Sequence, residues 1–165
     1  MRILLTVHQF FPQFAAGTEV LTYSVARELV RRGHLVHILA GYPGDASLAD
    51  ESRFDEYDYE GIHVYRFHHA YTPMGRQVSM IEIGGDNHVA AAYFDRILKD
   101  FQPDLVHSFH LNRLGTGLIE RAFTAGVPRF MTLTDFWMLC PMSQLFLTDG
   151  SFCSGPNTHA GNCLK

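Results

Sequence analysis

Short apolar runs alternate with amphipathic helical segments along this chain, and that alternation limits its fold more than any other feature. Residues 2–8 are an apolar run of β-forming residues, followed by a loop containing Gly17 and by a helical pattern that stops at Gly33. Residues 35–40 form a second apolar run. A strand, a helix and a second strand in this order make a βαβ unit with a right-handed crossover. The two strands are therefore expected to lie parallel in one sheet.

The alternation continues to residue 133, with one irregular segment over residues 72–85. Residues 54–67, interrupted by Glu60 and Gly61, alternate as an edge hairpin does. The later pattern predicts a helix capped by Asp86 or Asn87 and ending at Phe101, a strand over 105–109, a helix over 115–125 and a strand over 130–133. The predicted fold class is α/β, a Rossmann-like three-layer sandwich with a mainly parallel sheet.

Composition narrows the class of protein. The 165 residues fit one domain, and 47% hydrophobic residues against 18% charged ones are enough for a folded core. A net charge of −4 without a basic stripe argues against nucleic acid as a partner. No window approaches the roughly 18 consecutive apolar residues of a membrane span. We therefore expect a cytoplasmic protein whose membrane association is at most peripheral, at the inner membrane face.

Ligands of an open parallel sheet bind at the carboxyl ends of its strands, an edge that we call the rim. The segments at the carboxyl ends of the predicted strands are residues 8–17, Gly41, residues 107–110 and residues 134–137. They come from distant parts of the chain, and we expect them to share this rim. The rim is therefore the predicted location of the functional site.

The loop before the first helix predicts an anion site. Gly17 can bring its backbone close to a ligand, and the first helical turn at Gly17 and Thr18 offers N–H groups and the positive end of the helix dipole. A phosphate-bearing ligand is the natural occupant. The chain has neither the G-x-G-x-x-G fingerprint nor a Walker lysine, which disfavours NAD and P-loop chemistry. The alternative is that Gly17 only makes a tight turn.

Two histidines lie at the end of the strand predicted over residues 105–109. His107 and His110 are expected near His8 and Asp135, where one of them can act as a catalytic base; a metal site or purely structural histidines are the alternatives. The aromatic residues Phe136 and Trp137, with Met138 and Met142, are candidates for an acceptor-binding wall. Such residues also serve commonly as core.

Three cysteines cluster near the end of the sequence, at Cys140, Cys153 and Cys163. Their number is odd and the surrounding segment is rich in glycine, so a structural zinc ion is a candidate staple. His159, or a cysteine following Lys165, would supply a fourth ligand. Reduced structural cysteines or a disulfide are the alternatives.

Several segments, in this order, resemble a known family. They are residues 16–19 (Ala-Gly-Thr-Glu), 29–34 (Leu-Val-Arg-Arg-Gly-His), 103–107 (Pro-Asp-Leu-Val-His), 125–128 (Ala-Gly-Val-Pro) and 133–141 (Leu-Thr-Asp-Phe-Trp-Met-Leu-Cys-Pro). Together they resemble the N-terminal domain of retaining glycosyltransferases of family 4, the glycosyltransferase group 1 type. That family has the GT-B fold, in which two Rossmann-like domains face each other across a cleft.

The resemblance implies a hexosyltransferase-type enzyme that moves a sugar from a nucleotide-diphosphate sugar to an acceptor hydroxyl with retention. It implies no obligatory metal at the reaction centre. The N-terminal domain, residues 1–139 here, would bind a sugar or a lipid-linked saccharide acceptor, and Gly17 would present its N–H to the diphosphate of the sugar donor. Residues 140–165 would be a cysteine-bearing tail. The nucleotide-binding C-terminal domain would be the chain's partner, and without it the 165 residues are expected to be inactive.

The chain departs from the family pattern at three positions. Ala16 precedes Gly17 where the family often has paired glycines, and Phe109 stands where the second histidine of an H-x-H motif often lies. Thr134 replaces the histidine that usually precedes Asp135. His110, one residue beyond the usual place, is the preferred catalytic candidate over His107.

Two other functions compete with the transferase. One is a non-catalytic binding module stapled by a cysteine-bound metal. The other is a small Rossmann-like hydrolase that uses His107, His110 and Asp135 at the rim.

Overall fold

The structure is a computed structural model that describes residues 1–70, 85–140, 143–147, 149–158 and 163. The irregular segment expected over residues 72–85 lies outside the described residues, except for Gly85. The chain divides into two compact units, Met1–Thr132 and Leu133–Lys165. The second unit begins ahead of the tail expected to start at Cys140, and the assignment of domains stays a prediction.

The first unit is built on a six-stranded sheet in the order β3-β4-β2-β1-β5-β6. All neighbouring strands are parallel except the pair β3 and β4, which is antiparallel and lies at one edge. The strands are β1 (Arg2–Val7), β2 (Leu35–Pro43), β3 (Phe54–Tyr59), β4 (Ile62–His69), β5 (Leu105–Ser108) and β6 (Arg129–Met131). The predicted mainly parallel sheet with a hairpin at its edge is confirmed.

Helices connect the parallel strands. They are α1 (Gly17–Arg31), α2 (His88–Phe101) and α3 (Gly117–Thr124), with a short 3₁₀ turn at Asp50–Ser52 before β3. Asn87, rather than Asp86, caps α2, because its side-chain oxygen accepts a hydrogen bond from the Ala90 N–H at 3.2 Å. Gly33 follows α1 with φ +83°, the left-handed conformation that ends a helix.

Helices cover both faces of the sheet. The face toward α1 carries an apolar cluster that includes Ile38, Val64 and Ala26 of the helix, all fully buried. The neighbouring residue His37 points to the opposite face, where its ring stacks on Phe101 of α2 at 3.9 Å between centroids. Because successive strand residues alternate between faces, the two contacts place α1 and α2 on opposite sides. The predicted three-layer sandwich is confirmed for this unit.

Several predicted elements have different bounds in the structure, and the contacts explain two of the differences. The helix predicted from residue 115 begins at Gly117, because Gly115 has φ +86° and a Cβ there would lie 2.6 Å from the Asn87 nitrogen. The strand predicted over 130–133 is instead Arg129–Met131. Its last residue pairs with Ser108, where β5 ends, so residue 133 has no partner on β5.

The second unit has little regular structure among its described residues. A turn after Asp135 is closed by the N–H groups of Leu139 and Cys140, which both donate to the Phe136 carbonyl. Further on, Phe146 and Phe152 form an isolated antiparallel bridge. The alternation of strands and helices, which the sequence continues only to residue 133, therefore does not extend into the described residues of this unit.

Candidate functional site

The carboxyl ends of four parallel strands bring three histidines together. His8 follows β1, His69 ends β4 and His110 follows β5. The rings of His8 and His110 lie 4.4 Å apart between centroids. A Cβ placed on Gly41 of β2 would lie 3.4 Å from His69 Cδ2 and 2.5 Å from the His8 carbonyl oxygen. His8, Gly41 and His110 thus share the rim, as expected, and we call His8, His69 and His110 the histidine cluster.

The sequence pattern did not indicate His69, because the predicted hairpin stopped at Phe67. The structure extends β4 to His69, which pairs with Pro43 at the end of β2. His69 is buried, and that burial, helped by the positive charge of Arg113, lowers the pKa of its imidazole to about 4. It is therefore neutral at pH 7. The parallel register between β2 and β4 is the signal that would have placed it at the rim.

His110 is almost completely buried at the rim. Its Nδ1 accepts a hydrogen bond from the backbone N–H of Asn112 at 3.1 Å. A neutral imidazole that accepts at Nδ1 carries its proton on Nε2. His110 in its neutral form is therefore a hydrogen-bond donor through Nε2.

His107 has a different environment. Its Nε2 lies 2.8 Å from Thr132 Oγ1, and its ring stacks on Phe109 at 4.4 Å. Burial lowers the pKa of His107. The two histidines that the sequence places three residues apart thus contact different neighbours, and the structure joins His110 to His8 rather than to His107.

Glu19 is a second residue that the sequence pattern did not indicate. It is completely buried in the first turn of α1. Its Oε1 lies 3.4 Å from Nε2 of His8. Glu19 therefore extends the histidine cluster inward, and its place three residues after the helix cap is the signal that singles it out.

The start of α1 is open at Gly17. Gly17 is exposed, its φ lies outside the left-handed region, and a Cβ there would meet nothing within 4 Å. Ala16 precedes it and supplies no side-chain cap to the helix. The chain's own backbone does not require glycine at this position, which argues against the tight-turn explanation.

The aromatic acceptor candidates lie in the second unit. Phe136 is exposed and Trp137 is half-buried, and the Trp137 N–H donates to Asp135 Oδ1 at 2.8 Å. Met142 lies outside the described residues. The acceptor-binding role of Phe136 and Trp137 stays a prediction.

The three cysteines are unbridged and partly exposed. Cys153 accepts an N–H contact from Gly155 at its sulfur, at 3.4 Å. Within the described ranges, no group of three or more His, Cys, Asp or Glu side chains is placed to hold a metal ion. His159 lies outside those ranges, so the structural zinc at Cys140, Cys153 and Cys163 stays a prediction.

Residues 15–145 of the chain match Glycosyltransferase Family 4. The chain belongs to this family. The family 4 match covers α1, the strands β2 to β6 and the start of the second unit, so it confirms the resemblance carried by the sequence motifs. None of the helices among the described residues is long and apolar enough to cross a membrane.

This family 4 chain also resembles solved structures. It is similar to a solved structure described as "Trehalose-6-phosphate from E. coli bound with UDP-2-fluoro glucose", with a TM-score of 0.46 and 17% identity. The likeness covers 82% of this chain and 33% of that one, so the chain spans about a third of that protein's length. No curated protein matches the chain.

Proposed function

We propose that this chain is the acceptor-side half of a retaining glycosyltransferase of hexosyltransferase type. The reaction transfers a sugar from a nucleotide-diphosphate sugar to an acceptor hydroxyl. Membership of family 4 supports the reaction class. The single observation that carries the location of the sugar donor is the open N-terminus of α1 at Gly17, which follows the loop that begins with His8.

Gly17 supports a site for the diphosphate. A glycine that is not required by a positive φ or by neighbouring atoms suits a position where a ligand approaches the backbone closely. The first N–H groups of an α-helix have no partner within the helix, and the helix dipole favours an anion there. We therefore assign the N–H groups of Gly17 and Thr18 to the diphosphate of the sugar donor.

His110 is assigned as a hydrogen-bond donor rather than as a base. Its Nδ1 is occupied by the Asn112 N–H, so the neutral ring offers its Nε2–H to an oxygen of the transferred sugar or of the leaving phosphate. Hydrogen bonds to the oxygen that gains negative charge in the transition state are the usual source of rate in such group transfers. We assign no role in the reaction to His107, whose Nε2 faces Thr132.

The remaining parts of the proposal concern partners. Phe136 and Trp137 are the proposed contacts for a sugar or a lipid-linked saccharide acceptor. The partner domain is a C-terminal nucleotide-binding domain, without which the 165 residues do not catalyse transfer. The reaction centre needs no obligatory metal, and zinc at the cysteines would be structural. We place the protein in the cytoplasm, with at most peripheral association with the inner membrane face.

The hydrolase alternative gains no support from the geometry. It needs His107, His110 and Asp135 to act together. His107 contacts Thr132 and Phe109, whereas His110 contacts His8.

Sugar transfer by a protein that carries this domain together with its nucleotide-binding domain tests the proposal. Gly17→Val places a β-branched side chain where we locate the diphosphate, and we expect the transfer rate to fall by more than about tenfold. The folded state should persist, because a Cβ at Gly17 meets no neighbouring atom. Transfer is measured with a panel of nucleotide-diphosphate sugars.

Ser24→Val is the matched control, because Ser24 is exposed on the same helix, α1, away from its first turn. It should leave transfer unchanged. Equal rates for Gly17→Val and the unmodified protein would remove the diphosphate from this loop. Retention is checked separately by the anomeric configuration of the product, read by proton NMR.

A further inference from the structure

The carboxylate of Glu19 is buried without the bonds that such a group normally needs. Its side chain is 1% exposed, and neither carboxylate oxygen has a hydrogen-bond partner among the described residues. Glu three residues after a helix cap usually turns back to the N–H of the cap residue. Glu19 does not make that bond, and the ionisable group in contact with it is the imidazole of His8, whose Nε2 lies 3.4 Å from Glu19 Oε1. Capping α1 therefore does not explain Glu19.

A counter-charge is needed to hold such a group in place. Burying an ionised carboxylate without a partner is strongly unfavourable, and the dipole of one helix offsets only part of that cost. His8 is the imidazole in contact with Glu19. His69 is unsuited to the role, because burial and the charge of Arg113 keep it neutral at pH 7. His8 is therefore the side chain placed to supply the counter-charge when its imidazole is protonated.

Glu19 and His8 differ in how deeply they are buried. Glu19 forms its inner end, and the side chain of His8, 23% exposed, forms its outer end. The ring of His8 also lies against His110, the residue assigned to the transferred sugar or its leaving phosphate. The positive end of the pair therefore faces the rim, at the end of β1 from which the loop leads to the open first turn of α1.

We propose that Glu19 is a positioning residue that holds His8 as an imidazolium against His110, so that the rim presents a positive charge to the anionic part of the sugar donor. This inference rests on the proposed function for the identity of the anion, but the pairing itself does not. Among the described residues, Glu19 from α1 and His110 from the segment after β5 contact His8. His69, at the end of β4, lies close enough for the charges of His8 and Arg113 to affect its pKa.

The titration of His8, followed by NMR of its imidazole nitrogens in the 165-residue chain, tests the pairing. Glu19→Gln keeps the shape of the side chain and removes its charge. We expect the midpoint of the His8 titration to fall by at least about one pH unit in this variant, because the imidazolium loses its counter-charge. A purely structural role for Glu19 would not move that midpoint.

Glu28→Gln is the matched control, since Glu28 lies on the same helix but is exposed and pairs with Arg31 and Arg32. It should leave the His8 midpoint unchanged. The same midpoint for His8 in the unmodified chain and in Glu19→Gln would overturn the proposal.

Binding of inorganic pyrophosphate separates this inference from the proposed function. If the His8 midpoint falls in Glu19→Gln while the unmodified chain shows no pyrophosphate binding, the pairing stands and the diphosphate site fails. If both hold, Glu19→Gln should bind pyrophosphate about three- to tenfold more weakly at low salt. Equal affinity would overturn the claim that the pair supplies charge to the anion.

If Glu19→Gln does not fold, a second set of variants tests the pairing of Glu19 with His8. His8→Gln leaves the buried carboxylate without a counter-charge and should lower Tm, whereas the double variant His8→Gln, Glu19→Gln should recover part of that loss. A double variant less stable than His8→Gln alone would overturn the pairing.

Discussion

One glycine sets how closely β1 and β2 approach each other at the rim. A Cβ on Gly41 would lie 2.5 Å from the His8 carbonyl oxygen, a distance at which backbone must move. Gly17 is the opposite case, since a Cβ there meets nothing within 4 Å. The two glycines at the candidate site therefore have different roles. Gly41 is required for close packing within the chain, and we propose that Gly17 leaves room for the ligand.

Alanine substitution distinguishes these two demands. Gly41→Ala should destabilise the chain by about 1–3 kcal/mol, because it forces β1 and β2 apart beside His8. Gly17→Ala should leave the free energy of unfolding unchanged or raise it by about 0.4–1 kcal/mol, because alanine lowers the entropy of the unfolded chain without strain in the helix. Urea unfolding of both variants measures the difference. A Gly41→Ala variant as stable as Gly17→Ala would contradict the close packing at the rim.

The position of a residue at the rim was predictable where the residue lies at the end of a predicted strand. His8 and His110 follow apolar runs, so the rule for open sheets places both at the rim. The burial of Glu19 was not predictable, because a glutamate in the first turn of an amphipathic helix is ordinarily solvated, although its place three residues after the cap marks the position. The tautomer of His110 depends on a backbone N–H two residues away and could be read only from the structure.

At the scale of elements, the spacing of hydrophobic residues predicted which segments are strands and which are helices. The residues at which these elements end depend on local contacts. Residues 130–133 are apolar enough to continue a strand, but β5 stops at Ser108 and offers no further partner. The residue that caps α2 was also ambiguous in the sequence, because Asp and Asn side chains are both good helix caps and Asp86 and Asn87 are adjacent. Tertiary contact selects Asn87, whose side-chain nitrogen also donates to the Arg113 carbonyl at 2.7 Å.

The cap of α2 gives a prediction at this scale. Asn87→Ala removes the bond to the Ala90 N–H and leaves the Arg113 carbonyl without that donor, so we expect a loss of about 1–3 kcal/mol in stability. Asp86→Ala is the matched control, because Asp86 is exposed and does not cap the helix. Its effect should stay within about 0.5 kcal/mol. Thermal unfolding of the two variants checks this, and equal losses would contradict the assignment of Asn87 as the cap.

In the first unit as a whole, the order and direction of the strands bring together residues that are distant in the sequence. His8, Gly41, His69 and His110 are spread over a hundred residues of sequence, and they meet because β1, β2, β4 and β5 run in the same direction with their ends in register. The mainly parallel order was predictable from the alternation of strands and helices. Phe136 and Trp137 belong to the second unit, and their part in the site stays a prediction.

The binding of inorganic pyrophosphate to the 165-residue chain, mapped by proton–nitrogen NMR, tests the proposed sugar-donor site most directly. We predict that the amide signals of Gly17 and Thr18 and the imidazole signals of His8 and His110 shift together and saturate at one concentration. Shifts confined to the exposed arginines near the other end of α1, Arg27, Arg31 and Arg32, with Gly17 and His110 unmoved, would contradict the placement of the diphosphate at the rim.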